Sequence, residues 1–302
     1  MSSDWEETFR AWSKPSSATE QQRADNAERM IREAITGSKA LAEHTVEVFA
    51  QGSYKNNTNV REDSDVDICV CCTDVFLYDF SMAQGITKQD AGISDSAYFY
   101  KQFKNEVEQA LVDKFGRRGV ARGNKAFDVH ENSYRLDADA VACMQHRRYT
   151  CRGASGGCLY EAGTEFHPDS GGKIVNWPRQ QYENGVWKNK ETGNRFKFMT
   201  RLLKRLRNRM AEDGVPEAEP IASFLIECLV WNVPSEGFGH EAYADDVRYV
   251  LAHTFNQTMT EESCQEWGEV SDLKYLFRGG TPWTREQAHA FLGAAWNYVE
   301  FE

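Results

Sequence analysis

Two aspartates separated by one residue are the strongest chemical signal in the chain. Asp65 and Asp67 lie at the start of an apolar run that predicts a strand over residues 66–72. Positions i and i+2 of a strand point to the same face, so both carboxylates could bind the same divalent metal ions. Gly52 and Ser53 precede them in a predicted turn or helix start, where bare backbone N–H groups can bind phosphate. The combination predicts an enzyme that holds a nucleoside triphosphate and its metal ions.

A third carboxylate is needed, because nucleotidyl transfer uses two metal ions about 3.5–4 Å apart and two carboxylates rarely hold both. A second predicted strand, residues 135–144, carries Asp137 and Asp139, again at i and i+2. If this strand lies beside the first, one of its aspartates completes a cluster of three. An isolated Asp-x-Asp pair is common at exposed strand ends. The Gly-Ser turn and the second acidic strand together favour the catalytic interpretation.

The elements that must position these residues form an α+β lobe. Ser17 and Glu20 make a capping box for a helix that ends at Gly37. Strands are predicted at residues 46–51, 66–72, 125–130 and 135–144, with a helix at 98–115 between the second and third. Residues 151–194 are rich in Gly, Asn and charge and are predicted to form a long ordered connector or an active-site loop.

The remainder of the chain has helical periodicity. One helix carries the apolar stripe from Met199 to Met210, a second spans about 220–231, and a last one is predicted to begin at Thr281 and Pro282. The basic residues beside the first stripe form a positive ridge that could meet a triphosphate or could simply be a solvated face; they are Arg201, Lys204, Arg205 and, as a polar neighbour, Asn208. Two domains are predicted, 1–180 and 181–302.

Composition restricts the setting and the partners. The 302 residues carry a net charge of −11, which argues against a broad grip on nucleic acid and against sensing of double-stranded DNA. The longest strongly apolar run, residues 222–231, is about half the length of a membrane span. Cysteines in apolar strand runs are predicted to be reduced and packed, with a zinc site or a redox role as the alternatives; they are Cys69, Cys71, Cys72 and Cys143. A cytoplasmic protein without a membrane partner is predicted.

The region around the first two aspartates resembles the active site of a known family. The pattern GSYxxxTNVxxxSDVD is similar to that of the CD-NTases, bacterial relatives of cyclic GMP-AMP synthase in the polymerase-β-like nucleotidyltransferase superfamily. Its residues here are Gly52, Ser53, Tyr54, Thr58, Asn59, Val60, Ser64, Asp65, Val66 and Asp67. Residues 137–143 resemble the family's third-ligand strand, with Ala142 in place of the usual proline. Further similar segments are 176–178, 188–197, 201–208 and 221–230.

The resemblance implies a polymerase-β-like core with a helical C-terminal lobe, and it assigns roles residue by residue. Asp65, Asp67 and Asp139, rather than Asp137, match the ligands of two Mg²⁺ or Mn²⁺ ions. Gln51, Gly52 and Ser53 match the donor-nucleotide site. Lys204 matches a lysine that reaches the phosphates, and Ser223 a serine near them.

The implied activity is the joining of ATP, GTP, UTP or CTP into a cyclic di- or trinucleotide, with release of pyrophosphate. In this family the product acts in anti-phage defence by switching on a separate effector protein. Two alternatives stay open at this point. One is a transferase of the same superfamily that modifies an antibiotic, a protein or an RNA end, and the other is a non-catalytic nucleotide sensor.

Overall fold

The computed structural model describes residues 3–60, 65–153 and 157–301, so Ser64 of the motif lies outside the described residues. The helices, in chain order, are α1 (Ser3–Trp12), α2 (Ala18–Thr36), α3 (Gly52–Asn56), α4 (Tyr100–Phe115), α5 (Pro178–Glu191), α6 (Arg195–Glu212), α7 (Ser223–Trp231), α8 (Tyr243–Thr258), α9 (Glu261–Cys264) and α10 (Arg285–Tyr298). The strands are β1 (Val46–Ala50), β2 (Val66–Asp79), β3 (Val120–Arg122), β4 (Phe127–Val129), β5 (Ala138–Arg152), β6 (Cys158–Phe166) and β7 (Ile174–Asn176).

The chain divides into two compact units. The sheet unit comprises Ser17–Lys55 and Glu62–Pro178, and the helical unit comprises Met1–Ser16, Asn56–Arg61 and Arg179–Glu302. The sequence placed its domain boundary at residues 180 and 181, and that division remains a prediction. Two stretches before residue 180 also belong to the helical unit, namely Met1–Ser16 and Asn56–Arg61.

One mixed sheet forms the centre of the sheet unit. Its order is β1-β2-β5-β4-β3, with β6 paired to β5 and β7 paired to β6. The β2–β5 pair is parallel and the other pairs are antiparallel. The long β5 pairs with β4 near its start and with β6 further along. Parallel pairing of β2 with β5 brings the starts of the two acidic strands side by side.

Two helices cover this sheet. Helix α2 begins after Ser17, whose hydroxyl accepts the N–H of Glu20 at 3.1 Å, and ends at Gly37, as predicted. Helices α2 and α4 contact each other and pack apolar side chains against the strands. The buried members from the two helices are Ala24, Ala27, Ile31, Ala34, Ile35, Tyr100, Phe103, Val107, Ala110 and Leu111. Their packing supports β2 and β5, whose first residues include Asp67 and Asp139.

The predicted connector over residues 151–194 is wrong as a description of that segment. It contains β6, β7 and α5, and β5 itself extends to Arg152. The first half of β6 is largely exposed, and α5 buries few side chains, so neither element shows the apolar periodicity by which the others were predicted. Pairing with β5 holds β6 in place instead.

The helical unit has its own apolar core. It is built mainly from α6, α7, α8 and α10, and Phe9 of α1 is fully buried in it. Helix α8 was not predicted from the sequence. The last helix starts later than predicted: Thr284 and Gln287 form a reciprocal capping box, so the helix begins at Arg285 and not at Thr281 or Pro282.

The cysteine prediction holds only in part. Cys69 of β2 and Cys143 of β5 are paired as a disulfide, so the expected reduced state is wrong for these two. They are 74 residues apart in sequence, and only the parallel strand pairing brings them together. Cys71 and Cys72 are buried free thiols, as predicted.

Candidate active site

Two acidic residues stand side by side at the start of the β2–β5 pair, and a third directly precedes β2. Asp67 stands directly opposite Asp139 in the parallel register, and Asp65 comes two residues before Asp67. Asp67 and Asp139 are half-buried, while the residues on either side of each are buried. This alternation places both aspartates on one face of the sheet and their apolar neighbours on the other. The structure thus places Asp67 beside Asp139, with Asp65 near enough to act on Asp139 electrostatically, and their binding of metal remains a prediction.

The electrostatics of this face suit a cation. The pKa of Asp139 is raised from its ordinary value of 3.8, first by burial and then by the negative charges of Asp65, Asp128 and Asp137. Carboxylates that raise one another's pKa lower their mutual repulsion when they share a positive charge. The donor set is all oxygen, which is the set that Mg²⁺ and Mn²⁺ prefer.

Gly52 lies against the second aspartate. The chain leaves β1, Gln51 donates its N–H to the carbonyl of Asp67 at 2.8 Å, and Gly52 then takes a positive φ of 65° to begin α3. A Cβ at Gly52 would lie 2.9 Å from Cγ of Asp67, closer than carbon atoms approach without repulsion. Gln51, Gly52 and Ser53 therefore stand next to the aspartates, where the sequence predicted a phosphate-binding turn.

Asp128 belongs to this acidic face and was missed from the sequence. It stands opposite Asp139 in the antiparallel β4–β5 pair, so Asp67, Asp139 and Asp128 form a row across three adjacent strands. The signal in the sequence was an aspartate flanked by two apolar residues, Phe127 and Val129, which the structure shows to be buried. The run is only three residues long, and its strand partner could not be identified without the fold.

Asp137 differs from Asp139 in its contacts. One carboxylate oxygen of Asp137 accepts the backbone N–H of Glu131. Its donor atoms also group with those of Asp128 and His130, all within 4.8 Å of one another. This bond to the β4–β5 loop gives Asp137 a structural contact, and the choice of Asp139 as the third ligand remains a prediction.

Lys204 lies in the helical unit and is buried. Its Nζ donates to Glu227 Oε2 at 3.1 Å and to the carbonyl of Thr58 at 3.1 Å. Glu227 also accepts the hydroxyl of Thr58 at 2.8 Å and the side-chain amide of Gln181 at 3.1 Å. This network anchors the segment that follows the Gly-Ser turn. The phosphate contact of Lys204 remains a prediction.

The other arginines of the basic ridge also bond to protein, so the alternative that this ridge is a solvated face is wrong. Arg201 is 1% exposed and donates to the carbonyls of Ser13 and Asn57, and Arg205 donates to carbonyls at the end of α1. Ser223, the first residue of α7, is exposed and accepts a bond of 2.7 Å from Arg207. Its place near a triphosphate also remains a prediction.

Comparison with known proteins agrees with this geometry. Residues 183–300 match the family description "cGAS/DncV-like nucleotidyltransferase C-terminal helical domain". A protein of Legionella pneumophila named cyclic dipyrimidine nucleotide synthase CdnE is 50% identical, covering 99% of each chain. A protein of the same name from Cecembia lonarensis is 43% identical, covering 98% of each chain.

A solved structure extends the likeness to the fold. The structure of the Rhodothermus marinus CdnE c-UMP-AMP synthase with Apcpp and Upnpp superposes with a TM-score of 0.84, at 31% identity and 98% coverage of both chains. The predicted fold class, a polymerase-β-like core with a helical C-terminal domain, is confirmed. In the described residues, helices of the length and apolarity that would cross a bilayer are not found.

These relatives favour cyclic nucleotide synthesis over the transferase and sensor alternatives. The full-length identities and the shared fold extend beyond the aspartate motif to both units of the chain. The chain belongs to the CD-NTase family of nucleotidyltransferases, whose characterised members here are cyclic nucleotide synthases.

Proposed function

We propose that this enzyme joins two pyrimidine ribonucleoside triphosphates, UTP and CTP, into a cyclic dipyrimidine nucleotide. Each step is the attack of a ribose hydroxyl on an α-phosphate, with pyrophosphate leaving. The observation that carries the proposal is the parallel register of Asp67 with Asp139, which builds a carboxylate cluster beside a glycine turn. The pyrimidine choice is supported by the names of the relatives at 50% and 43% identity.

The aspartates would hold two divalent ions, Mg²⁺ or Mn²⁺. When bound, these ions would make the attacking hydroxyl more acidic and neutralise charge on the triphosphate and the leaving pyrophosphate. The residues of the chain supply position. Asp67 and Asp139 hold their carboxylates at strand ends, where neighbouring strands fix the backbone, and Asp65 directly precedes β2. Such fixed polar groups stabilise the transition state without having to reorganise.

The donor triphosphate would occupy the turn at Gln51, Gly52 and Ser53. Absence of a Cβ at Gly52 lets the backbone come close both to Asp67 and to a phosphate. We further propose that Lys204 and Ser223 contact the phosphates. For Lys204 this requires that its Nζ exchange the bonds to Glu227 and Thr58 for a phosphate oxygen.

The biological part of the proposal is that the product is a second messenger in the cytoplasm. It would switch on a separate effector protein during phage infection, as in the family that the motif resembles, without direct recognition of double-stranded DNA. Phage plating on cells that carry the gene with its genomic neighbours tests this. Protection should vanish when Asp67→Asn replaces the wild-type enzyme.

The chemical test is product analysis. The purified protein is incubated with every pair of labelled ribonucleoside triphosphates and Mg²⁺ or Mn²⁺, then treated with phosphatase and examined by mass spectrometry. UTP and CTP, alone or together, should suffice for a phosphatase-resistant cyclic product. A product that requires ATP or GTP would refute the pyrimidine assignment but keep the synthase.

Substitution of the aspartates tests the metal assignment. Asp65→Asn, Asp67→Asn and Asp139→Asn should each remove nearly all turnover, because the ligands of one metal cluster act as a unit. Asp137→Asn is the matched control and should be mild, since its carboxylate serves the loop at Glu131. More than about a tenth of wild-type turnover in both Asp65→Asn and Asp67→Asn would overturn the assignment.

A further inference from the structure

A second group of potential metal ligands lies far along β2 from the catalytic aspartates. His44, Cys72 and Asp74 each offer one donor atom, and the three atoms lie within 4.8 Å of one another. Cys72 is five residues beyond Asp67 on the same strand, a distance of about 17 Å at the usual rise of a strand. The group is therefore separate from the proposed catalytic ions.

The antiparallel β1–β2 pair assembles this group. Val46 pairs with Cys72, and Thr73 donates its N–H to the carbonyl of Thr45 at 2.9 Å, so His44 is brought opposite Asp74. Cys72 and Asp74 are at i and i+2 and share a face of the strand. Two of the donors thus stand on β2, and the third, His44, lies two residues before β1.

The distances suit a small tetrahedral ion. His44 Nδ1 lies 2.9 Å from Asp74 Oδ2, and Cys72 Sγ lies 3.2 Å from Asp74 Oδ1. Zinc bonds of about 2.0–2.3 Å to nitrogen, oxygen and sulfur place neighbouring ligand atoms about 3.3–3.8 Å apart. The two contacts reach different oxygens of Asp74, so binding through one oxygen would require the carboxylate to rotate as well as a small separation of the atoms.

Neighbouring groups hold two of the ligands in place. The ring of Tyr98 stacks on His44 with centroids 3.8 Å apart, and the backbone N–H of Thr45 donates to Asp74 Oδ1 at 3.0 Å. Such outer contacts are typical of metal sites, where they orient the ligands. The side chain of Asp74 is 35% exposed, which leaves a path for the ion and room for water as a fourth ligand.

We propose that His44, Cys72 and Asp74 form a binding site for a transition-metal ion, of which Zn²⁺ fits best. A thiolate and an imidazole favour zinc over magnesium, and three protein ligands with one open position are a known zinc arrangement. Coordination would replace the proton on Cys72 Sγ, which passes to solvent. The ion would tie the segment before β1 to β2.

A nucleophilic role for the same three residues is less consistent with the structure. Cys72 is 0% exposed, and burial raises the pKa of its thiol to about 12, so the thiolate needed for attack is scarce. An organic substrate could not reach the sulfur. A metal ion can reach the sulfur past the partly exposed side chain of Asp74.

Cobalt spectroscopy of the full chain tests the site independently of enzymatic activity. Metal-free protein is titrated with Co²⁺ in saturating Mg²⁺, which occupies all-oxygen sites. We expect one equivalent to produce a thiolate-to-cobalt charge-transfer band and the visible bands of tetrahedral Co²⁺, and Zn²⁺ to remove them. Absence of the charge-transfer band in folded wild-type protein would overturn the proposal.

Variants assign the ligands. Cys72→Ser should abolish the charge-transfer band, whereas Cys71→Ser, at the adjacent buried cysteine, should keep it. His44→Gln and Asp74→Asn, at more exposed positions, should weaken Co²⁺ binding by at least about tenfold and decide the question if Cys72→Ser does not fold. A band that survives Cys72→Ser, or that disappears only in Cys71→Ser, would refute the assignment.

Discussion

Replacement of Gly52 by alanine should separate the geometry of the active site from the stability of the fold. Two effects follow from one methyl group. At φ 65° an alanine costs about 1–2 kcal/mol of backbone strain, partly offset by the lower entropy of the unfolded chain. The new Cβ would also lie 2.9 Å from Cγ of Asp67, where about 3.5–4.0 Å is the ordinary carbon–carbon separation.

The collision therefore has to move the Asp67 carboxylate or the turn by about 0.6–1 Å. A displacement of about 1 Å in a positioned catalytic group can lower the rate about 100-fold, equivalent to about 2.7 kcal/mol in the barrier. We expect Gly52→Ala to lose about 100-fold in kcat and about 1 kcal/mol in the free energy of unfolding.

Gly85→Ala is the matched control. Gly85 also belongs to the sheet unit and has a positive φ of 74°, but nothing lies within 4 Å of the Cβ that alanine would add. It should lose a similar free energy of unfolding and keep wild-type turnover. Urea denaturation measures the first quantity, and pyrophosphate release at saturating triphosphate measures the second.

Two results would refute the reasoning. If Gly52→Ala kept more than about a tenth of wild-type kcat, the close approach to Asp67 would not control catalysis. If Gly85→Ala lost turnover to the same extent as Gly52→Ala, backbone strain alone would explain the loss. A third variant, Gly52→Ser, adds one more atom and should be at least as impaired as the alanine.

Two further predictions concern stability. In metal-free protein Asp139→Asn should raise the free energy of unfolding at pH 7. Burial and neighbouring negative charges raise the pKa of Asp139 in the folded state, so the folded chain binds more protons than the unfolded chain. The stability of the wild-type protein therefore falls as the pH rises through that pKa. The stability gained by the variant should fade as the pH falls towards 3.8. Urea denaturation of both proteins in a chelator from pH 4 to 8 measures this difference, and a difference independent of pH would contradict the reasoning. Lys204→Met should lower the free energy of unfolding by about 3–5 kcal/mol, because it leaves the buried carboxylate of Glu227 without its lysine partner. The double variant Lys204→Met with Glu227→Leu should lose less than the sum of the two single variants in a double-mutant cycle, and strict additivity would show that the pair is not coupled.

Local chemistry in the sequence was sufficient for several elements. The cap at Ser17 and the stop at Gly37 define α2 through bonds to residues three or four positions away, and such short-range signals are legible in a linear chain. Asp65 and Asp67 share a face because strand periodicity requires it. The prediction of their chemical role followed from residue type and spacing alone.

Pairings between distant segments were not legible in the same way. Both Asp137 and Asp139 satisfy the i, i+2 pattern, and the residues by themselves left either one as the third ligand. The β2–β5 register puts Asp139 opposite Asp67, and the bond from Glu131 occupies Asp137. Asp128 entered the acidic face only through the pairing of a strand of three residues.

The basic residues of α6 show the same division. Helical periodicity placed Arg201 and Lys204 on one stripe, but it could not say whether that stripe faces solvent, substrate or protein. Burial against Glu227 and the carbonyls of Thr58, Ser13 and Asn57 was decided by segments more than 20 residues away in the chain. The sequence by itself determined which residues could do chemistry, since type and local spacing depend on near neighbours. The tertiary structure alone decided which of them meet, because strand register and burial depend on contacts between distant parts of the chain.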